Sequence, residues 1–436
     1  MKQYDQSAWL WRVIAVFVGC LMVCGPVAWA DAPSTEELMK DNKELRTMVT
    51  ELQKKVDMIE GHMAKGVPMP AAPTEGDGIV RGGGGDIRLS GFIDSSLNWN
   101  FQDPVGNPNG NSTIRAYDRN ANTFDLNNFQ LELSRPAPES DKVSAGFRTE
   151  LMYGTDAQVA ESAGFLGGTD EVSIQEAYAE VKIPHIPMTS GITVWAGKFA
   201  TLLGAEVIEN HMNWNASRGL LFNNAIPSTH TGVRAMTNVM DGKVSLATGL
   251  VNGWDQAIDV NDVKDWEARV GWTPVENFTT SAGFMIGPQA FEDAGSPRGV
   301  IDLIAMWTPL PKDLPGFKLM ANYDYGWEED LGATFPAAAR EGGRADWQGY
   351  ALYGRYEVND KLALNYRFEQ FWDDQAVRTN AFELFENTAG VDYKLTEKLL
   401  WRGEYRYDSS SGAAPFDNGG EDHQSTVMTS LIYMFA

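Results

Sequence analysis

From Ile87 to the C-terminus, apolar and polar side chains alternate in runs of about ten residues separated by turns. Val143, Ala145, Phe147, Thr149, Leu151 and Tyr153 share one face of such a run, and Ser144, Gly146, Arg148 and Glu150 the other. Leu399, Trp401, Gly403, Tyr405 and Tyr407 likewise oppose Arg402, Glu404 and Arg406. A period of two marks a strand with unlike faces. Sixteen runs are predicted as strands, near 87–101, 124–135, 143–153, 172–183, 191–199, 229–238, 244–252, 265–273, 278–286, 298–307, 317–326, 347–356, 362–371, 383–393, 399–407 and 425–436. Their lengths suit tilted strands crossing a bilayer. The last run carries Val427, Thr429, Leu431, Tyr433 and Phe435 on one face, so the chain finishes on an apolar strand tipped with aromatics.

The gaps carry independent information. They run long then short: 102–123 and 136–142, 154–171 and 184–190, 200–228 and 239–243, 253–264 and 274–277, continuing to 408–424. Outer-membrane barrels pair long extracellular loops with short periplasmic turns. A soluble β-sandwich also alternates along its strands, but nothing makes its connections alternate. Trp99, Phe101, Trp272, Trp307, Tyr325, Tyr407 and Tyr433 fall at strand ends, where a membrane interface favours aromatics. Together these predict an all-β fold: a transmembrane antiparallel β-barrel of about 16 strands in outer-membrane lipid. Tyr433 and Phe435 form the expected assembly strand, read by the barrel-assembly machinery.

Ahead of the barrel the pattern changes. Lys2 and Arg12 flank an apolar core from Val13 to Val23, and Ala28-Trp29-Ala30 is an A-x-A cleavage site, so residues 1–30 read as a secretory signal. Phe17-Val18-Gly19-Cys20 loosely matches a lipid-attachment box, but the apolar run continues past Cys20 and favours ordinary cleavage. Both cysteines, Cys20 and Cys24, lie in this segment, so the expected mature chain has no thiol for a disulfide, a metal or a haem. In 31–65, Leu38, Leu45, Leu52 and Ile59 recur every seven residues, with Asn42, Val49, Val56 and Met63 four further on. These are the d and a positions of an α-helical coiled coil. It is expected in the periplasm, holding a homo-oligomer together (a trimer favoured over a dimer) and reaching toward the cell wall. Residues 66–86, rich in Gly, Pro and Ala, read as a flexible linker, and 87–436 as the barrel.

Charge narrows the chemistry. At a formal charge of -24 the chain is too acidic for a nucleic-acid partner. Inward positions hold Asn128, Gln130, Glu132, Arg148, Glu150, Arg234, Glu267, Arg269, Asp324, Arg367, Glu369, Arg402, Glu404 and Arg406. An interior with both signs of charge reads as a water-filled lumen, although many of these groups would pair across strands. The charged members, Asp324 and Glu132 apart, are the candidate pore-lining set. Catalysis is not expected. His62, His185, His211, His230 and His423 show no metal spacing, and His230 beside Ser228 is the one local hydrolase-like pair. No cofactor is expected. The acidic clusters Glu328-Glu329-Asp330 and Asp259 to Asp265 lack a calcium-loop consensus and read as solvated loop tips.

Three stretches carry a family likeness: Phe124-Asp-Leu-Asn-Asn-Phe-Gln-Leu-Glu-Leu-Ser-Arg135-Pro136, Gly146-Phe-Arg-Thr-Glu-Leu-Met-Tyr-Gly154, and Arg218-Gly-Leu-Leu-Phe with Thr231-Gly232-Val233-Arg234. The chain from about residue 87 resembles the OmpL-like β-barrel porin family. The resemblance implies a Gram-negative outer-membrane channel passing small polar solutes and ions by diffusion. A coiled coil before the barrel is similar to trimeric porins with a periplasmic stalk. In general porins the third long loop folds into the barrel and narrows it. The gap 200–228 occupies that place, which makes Glu206, Glu209 and Arg218 candidate constriction residues; capping the barrel, or packing on a neighbouring subunit, is the competing use of the loop. Ala436 after Phe435 departs from the usual aromatic terminus. Two other roles compete: a barrel anchoring the coil as a tether, and a sheath for an electron-transfer partner that brings its own haem. Acidity predicts mild cation preference.

Overall fold

A tilted strand is buried on one face and meets lipid on the other, so the alternation above has to close on itself or leave an edge unpaired in hydrocarbon. The computed structural model describes residues 79–82, 85–104, 114–163, 172–290, 295–310, 314, 316–329, 343–379, 381–412 and 414–435. The expected signal, the coiled-coil positions Leu38, Asn42, Leu45, Val49, Leu52, Val56 and Ile59, and most of the linker lie outside the described residues.

A short strand β1 (Ile79–Gly82) pairs with the start of β2 (Gly85–Asn100). There follow β3 (Thr123–Arg135), β4 (Ser144–Tyr153), β5 (Val172–Ile183), β6 (Ile192–Ala200), β7 (Thr229–Val239), β8 (Val244–Val251) and β9 (Asp265–Val275). The second half comprises β10 (Phe278–Pro288), β11 (Pro297–Trp307), β12 (Phe317–Glu328), β13 (Ala345–Glu357), β14 (Leu362–Asp373), β15 (Glu383–Lys394), β16 (Leu399–Ser410) and β17 (His423–Phe435). Among the described residues, the sixteen strands β2–β17 pair antiparallel in chain order, and β17 returns to β2 from Thr426↔Asn100 to Phe435↔Gly91. The barrel is closed.

Each predicted run became a strand. Several extend further toward the long connections, as in β12, β13, β14 and β16, where Asp346, Asp373 and Asp408 stand. Alternating apolar residues cannot mark those ends, because they rise beyond the lipid and carry polar groups. Residues 79–82 and 85–86, expected in the linker, are strand. The long connections are L1 (101–122), L2 (154–171), L3 (201–228), L4 (252–264), L5 (289–296), L6 (329–344), L7 (374–382) and L8 (411–422). L5 is no longer than the opposite turn at 308–316, so the length rhythm lapses there.

Trp99, Phe129, Tyr153, Trp266, Trp272, Trp307, Tyr323, Tyr366, Tyr405 and Tyr433 lie exposed on the outer wall. This is the aromatic girdle of a membrane-spanning barrel. At the seam, the Phe435 ring stacks with Phe129 at 6.4 Å and Tyr433 at 6.5 Å. A Cβ on Gly91 would stand 2.8 Å from that ring and 2.0 Å from the Gln130 carbonyl, so only glycine fits beneath it.

Three register shifts interrupt the pairing, one beside the β9–β10 turn, where Phe278↔Val275 is followed by Thr280↔Trp272, and two bulges within the wall. Asp94↔Asn128 is followed by Ser95↔Leu126, and Glu150↔Glu176 by Leu151↔Ile174. Asn127 and Gln175 are the extra residues, so two successive side chains are buried at each place: Asn127 with Asn128, and Gln175 with Glu176.

Candidate constriction and lumen

L3 leaves β6 and crosses the interior, where its backbone groups need partners away from bulk water. The barrel wall provides them. Gly204 N donates to Asp302 Oδ2 on β11 at 3.1 Å, and Ala205 N to Asn322 Oδ1 on β12 at 3.2 Å. Arg367 on β14 pairs with Glu206 at 2.6 Å. Asn210 Nδ2 reaches Asp94 on β2 at 2.7 Å. On β16, Arg402 donates to the carbonyls of Asn210, at 2.8 Å, of Asn215, at 3.2 Å, and of Asn213, while its Nε bonds Asp392 at 2.9 Å. Glu404 accepts from Ala216 N at 2.7 Å and Ser217 N at 3.1 Å, and Arg406 donates to the Arg218 carbonyl at 2.6 Å. The loop then turns into a short helix, α1 (Leu220–Asn224). Glu206 accepts from Gly219 N at 2.6 Å and Glu369 from Leu220 N, placing two carboxylates at its N-terminus. A Cβ on Gly219 would stand 2.4 Å from Glu369 Oε1, so a side chain there would force the carboxylate away. Leu220, Leu221, Ala225 and Ile226 then bury against Phe371, Trp347 and Leu384.

Arg218 joins three long loops. It pairs with Asp156 of L2 at 2.9 Å and with Asp118 of L1 at 3.6 Å, and lies over the Tyr117 ring at 4.8 Å. Burial raises the Asp156 carboxyl from 3.8 to about 7, with Arg218 opposing and Asp94 and Asp118 adding to the rise. A carboxyl whose folded-state value lies above its unfolded one stabilises the fold below the unfolded value and loses that contribution as pH rises through the folded value. The thermal midpoint of the barrel in detergent should therefore fall as pH rises from 5 toward 8. In Asp156→Asn this dependence should flatten; an unchanged slope would assign the titration elsewhere.

Among the described residues, L3 does not fill the side of the lumen walled by β8–β10. The inner wall there carries small side chains, Ser245 and Ala247 on β8, Gly271 and Thr273 on β9, and Ser281 on β10. A cavity of about 750 Å³ opens there at the short-turn end, with Glu180, Lys182, Trp195, Asn238, Arg269 and Ser281 in its lining. Midway up the wall Arg148 meets Glu176 at 3.1 Å, Glu132 at 3.4 Å and Glu150, and stays 37% exposed. Glu209 of L3 bonds Gln175 and lies close enough to act electrostatically on both Glu150 and Glu176. Three carboxylates thus hold one guanidinium beside the cavity, with Glu209 next to them. Arg234 and Glu267, hydrogen-bonded at 2.7 and 2.9 Å, form a buried pair on the adjoining wall. A second cavity, of about 780 Å³, lies under His211 to Trp214 and is lined by Arg355, Asp392 and Lys394.

The sequence-predicted residues separate by place. Arg148 and Arg269 face the lumen and are part-exposed, and Glu150 is buried behind Arg148. Arg367, Glu369, Arg402, Glu404 and Arg406 point inward but are buried against L3. Glu206 and Arg218 are buried too and fasten the loop, whereas Glu209 keeps partial exposure. Gln175 and Glu176 were not among the predicted inward residues; the bulge that aims both inward shifts the alternation by one. Asp118 and Asp156 sit on loops, where no periodicity points to them. Buried His230 bonds the Gly253 carbonyl and Thr201, each at 3.1 Å, and makes no contact with Ser228 that would serve catalysis.

A closed sixteen-strand barrel with an aromatic outer belt, a charged interior and a loop folded into the lumen defines the class of outer-membrane porins. The chain belongs to the family described as "Putative beta-barrel porin-2, OmpL-like", whose model matches residues 86–435. Solved structures repeat the architecture at low identity. The outer membrane channel DcaP of Acinetobacter baumannii is 14% identical with a TM-score of 0.55, covering 82% of this chain and 99% of that one. An anion-selective porin from Comamonas acidovorans is 15% identical with a TM-score of 0.53, covering 80% and 99%. Salmonella typhi OmpF, solved with daunomycin, is 12% identical with a TM-score of 0.56, covering 82% and 100%. No curated protein sequence matches the chain significantly.

Proposed function

We propose that this porin passes small polar solutes and ions by diffusion along the β4–β10 side of its lumen, with a preference for cations. The observation that carries this reading is the part-exposed Arg148 held among Glu132, Glu150 and Glu176, with Glu209 of L3 bonded to neighbouring Gln175, on the side of the barrel where the cavity opens. An excess of fixed negative charge in a narrow, low-dielectric passage concentrates cations and repels anions. The mechanism involves no covalent step. The fold does not set the sign of selectivity, since an anion-selective porin shares it.

Three copies would assemble side by side, with the expected coiled coil reinforcing the association on the periplasmic side. Reversal potentials in a planar bilayer under a potassium chloride gradient test the selectivity. The parent should prefer potassium, and Glu209→Gln should shift the reversal potential toward zero. Anion preference in the parent would overturn the reading.

A further inference from the structure

The aromatic belt has a gap. On β5–β8 the outward positions are Val172, Ile174, Ala177, Ala179, Val181 and Ile183, then Ile192, Val194, Ala196, Lys198 (buried under L2) and Ala200, then valines, alanine and threonines on β7, then Val244, Leu246, Thr248 and Leu250. Val233 and Leu250 are more than half exposed. The aromatics of these four strands all point inward: Tyr178 stacks on Trp195 at 4.2 Å, and Phe199 is fully buried. Every other sector presents outward Trp, Tyr or Phe.

Aromatic side chains collect where a barrel meets the lipid interface. A wall that carries none, over four adjacent strands, is shaped for another protein surface. Small, β-branched side chains also let two backbones approach closely in a membrane. Loop L2 of the same chain supports this. At the long-loop end of the same face, Lys198 Nζ donates to the Ala160 carbonyl of L2 at 3.5 Å, and the hydroxyls of Ser162 in L2 and Thr229 lie 2.8 Å apart. Non-strand backbone of L2 therefore lies against the outer wall there, where hydrocarbon would not solvate it.

We infer that the β5–β8 face is the contact surface for a second copy of this chain. This rests on the homo-oligomer proposed above and assigns its interface. Four strands spaced about 4.8 Å apart and about 30 Å long present roughly 600 Å² per subunit, or about 1,200 Å² per contact, the lower range of stable interfaces.

The test places one large side chain on each kind of wall: Ala179→Trp and Ala235→Trp in the gap, and Ala321→Trp on β12 as the lipid-facing control. Full-length protein is compared by native mass in mild detergent and by heat-modifiable migration, which reports the closed barrel. The parent and the β12 variant should be trimeric, and the two gap variants should become mostly monomeric while still migrating as folded barrels. A spin label at Val233, in a chain with Cys20 and Cys24 replaced, should be shielded from lipid-soluble oxygen, unlike one at Leu352. Gap variants that remain trimeric, with a lipid-exposed label at Val233, would overturn the interface and leave the oligomer standing. A monomeric parent would overturn both.

Discussion

Deleting residues 205–218 is expected to raise single-channel conductance severalfold. Those residues hold the first part of L3 across the lumen, and their removal uncovers Arg367, Glu369, Arg402, Glu404 and Arg406 to water. The wall survives because its own hydrogen bonds run between strands, and the uncovered charges rehydrate instead of staying buried without partners. A point change with the loop retained acts differently. Arg402→Met leaves the carbonyls of Asn210, Asn213 and Asn215 without their donor inside the protein. Breaking a buried charged anchor of this kind costs about 3–5 kcal/mol. Asp392 keeps Arg355 at 2.8 Å, which places the loss on the loop. The variant should conduct with more open-channel noise and melt earlier than the parent. Planar-bilayer recordings decide the matter: conductance unchanged in the deletion would mean that L3 does not limit the passage.

The second large effect is expected at the seam. Phe435→Ala should cut the amount of folded barrel severalfold, measured as the heat-modifiable fraction in the outer membrane. The Phe435 ring fills the space above Gly91 and joins β2, β3 and β17 through Phe129 and Tyr433. The closing strand can pair only after the others are formed, so a defect there leaves an open sheet edge. Removing Ala436 should have little effect. Equal folding of Phe435→Ala and the parent would show that closure depends on backbone pairing alone. Gly91→Val should fail in the same way as Phe435→Ala, because its side chain would collide with the Gln130 carbonyl.

Much of the barrel is legible along the chain because its rules are local. Alternation with period two fixes which side of each strand faces lipid, and the terminal aromatic strand marks the seam. The strand ends above the lipid were less legible, since Asp346, Asp373 and Asp408 carry no apolar signal. The same local reading names Arg148, Glu150, Arg402 and Glu404 as inward residues without separating them. Arg148 stands beside open space, whereas Arg402 is sealed beneath a loop some 190 residues earlier in the chain.

The sequence by itself determined the strand number, the two faces of the wall and the charge of the interior. These follow from side-chain direction, which repeats every second residue whatever the chain meets later. Only the tertiary structure decided which inward charges hold L3 and which face water, because the route of L3 depends on partners contributed by β2, β11, β12, β14 and β16 together. It also decided that Gln175 and Glu176 both turn inward, since a bulge is set by the register of two strands and not by either strand's own pattern.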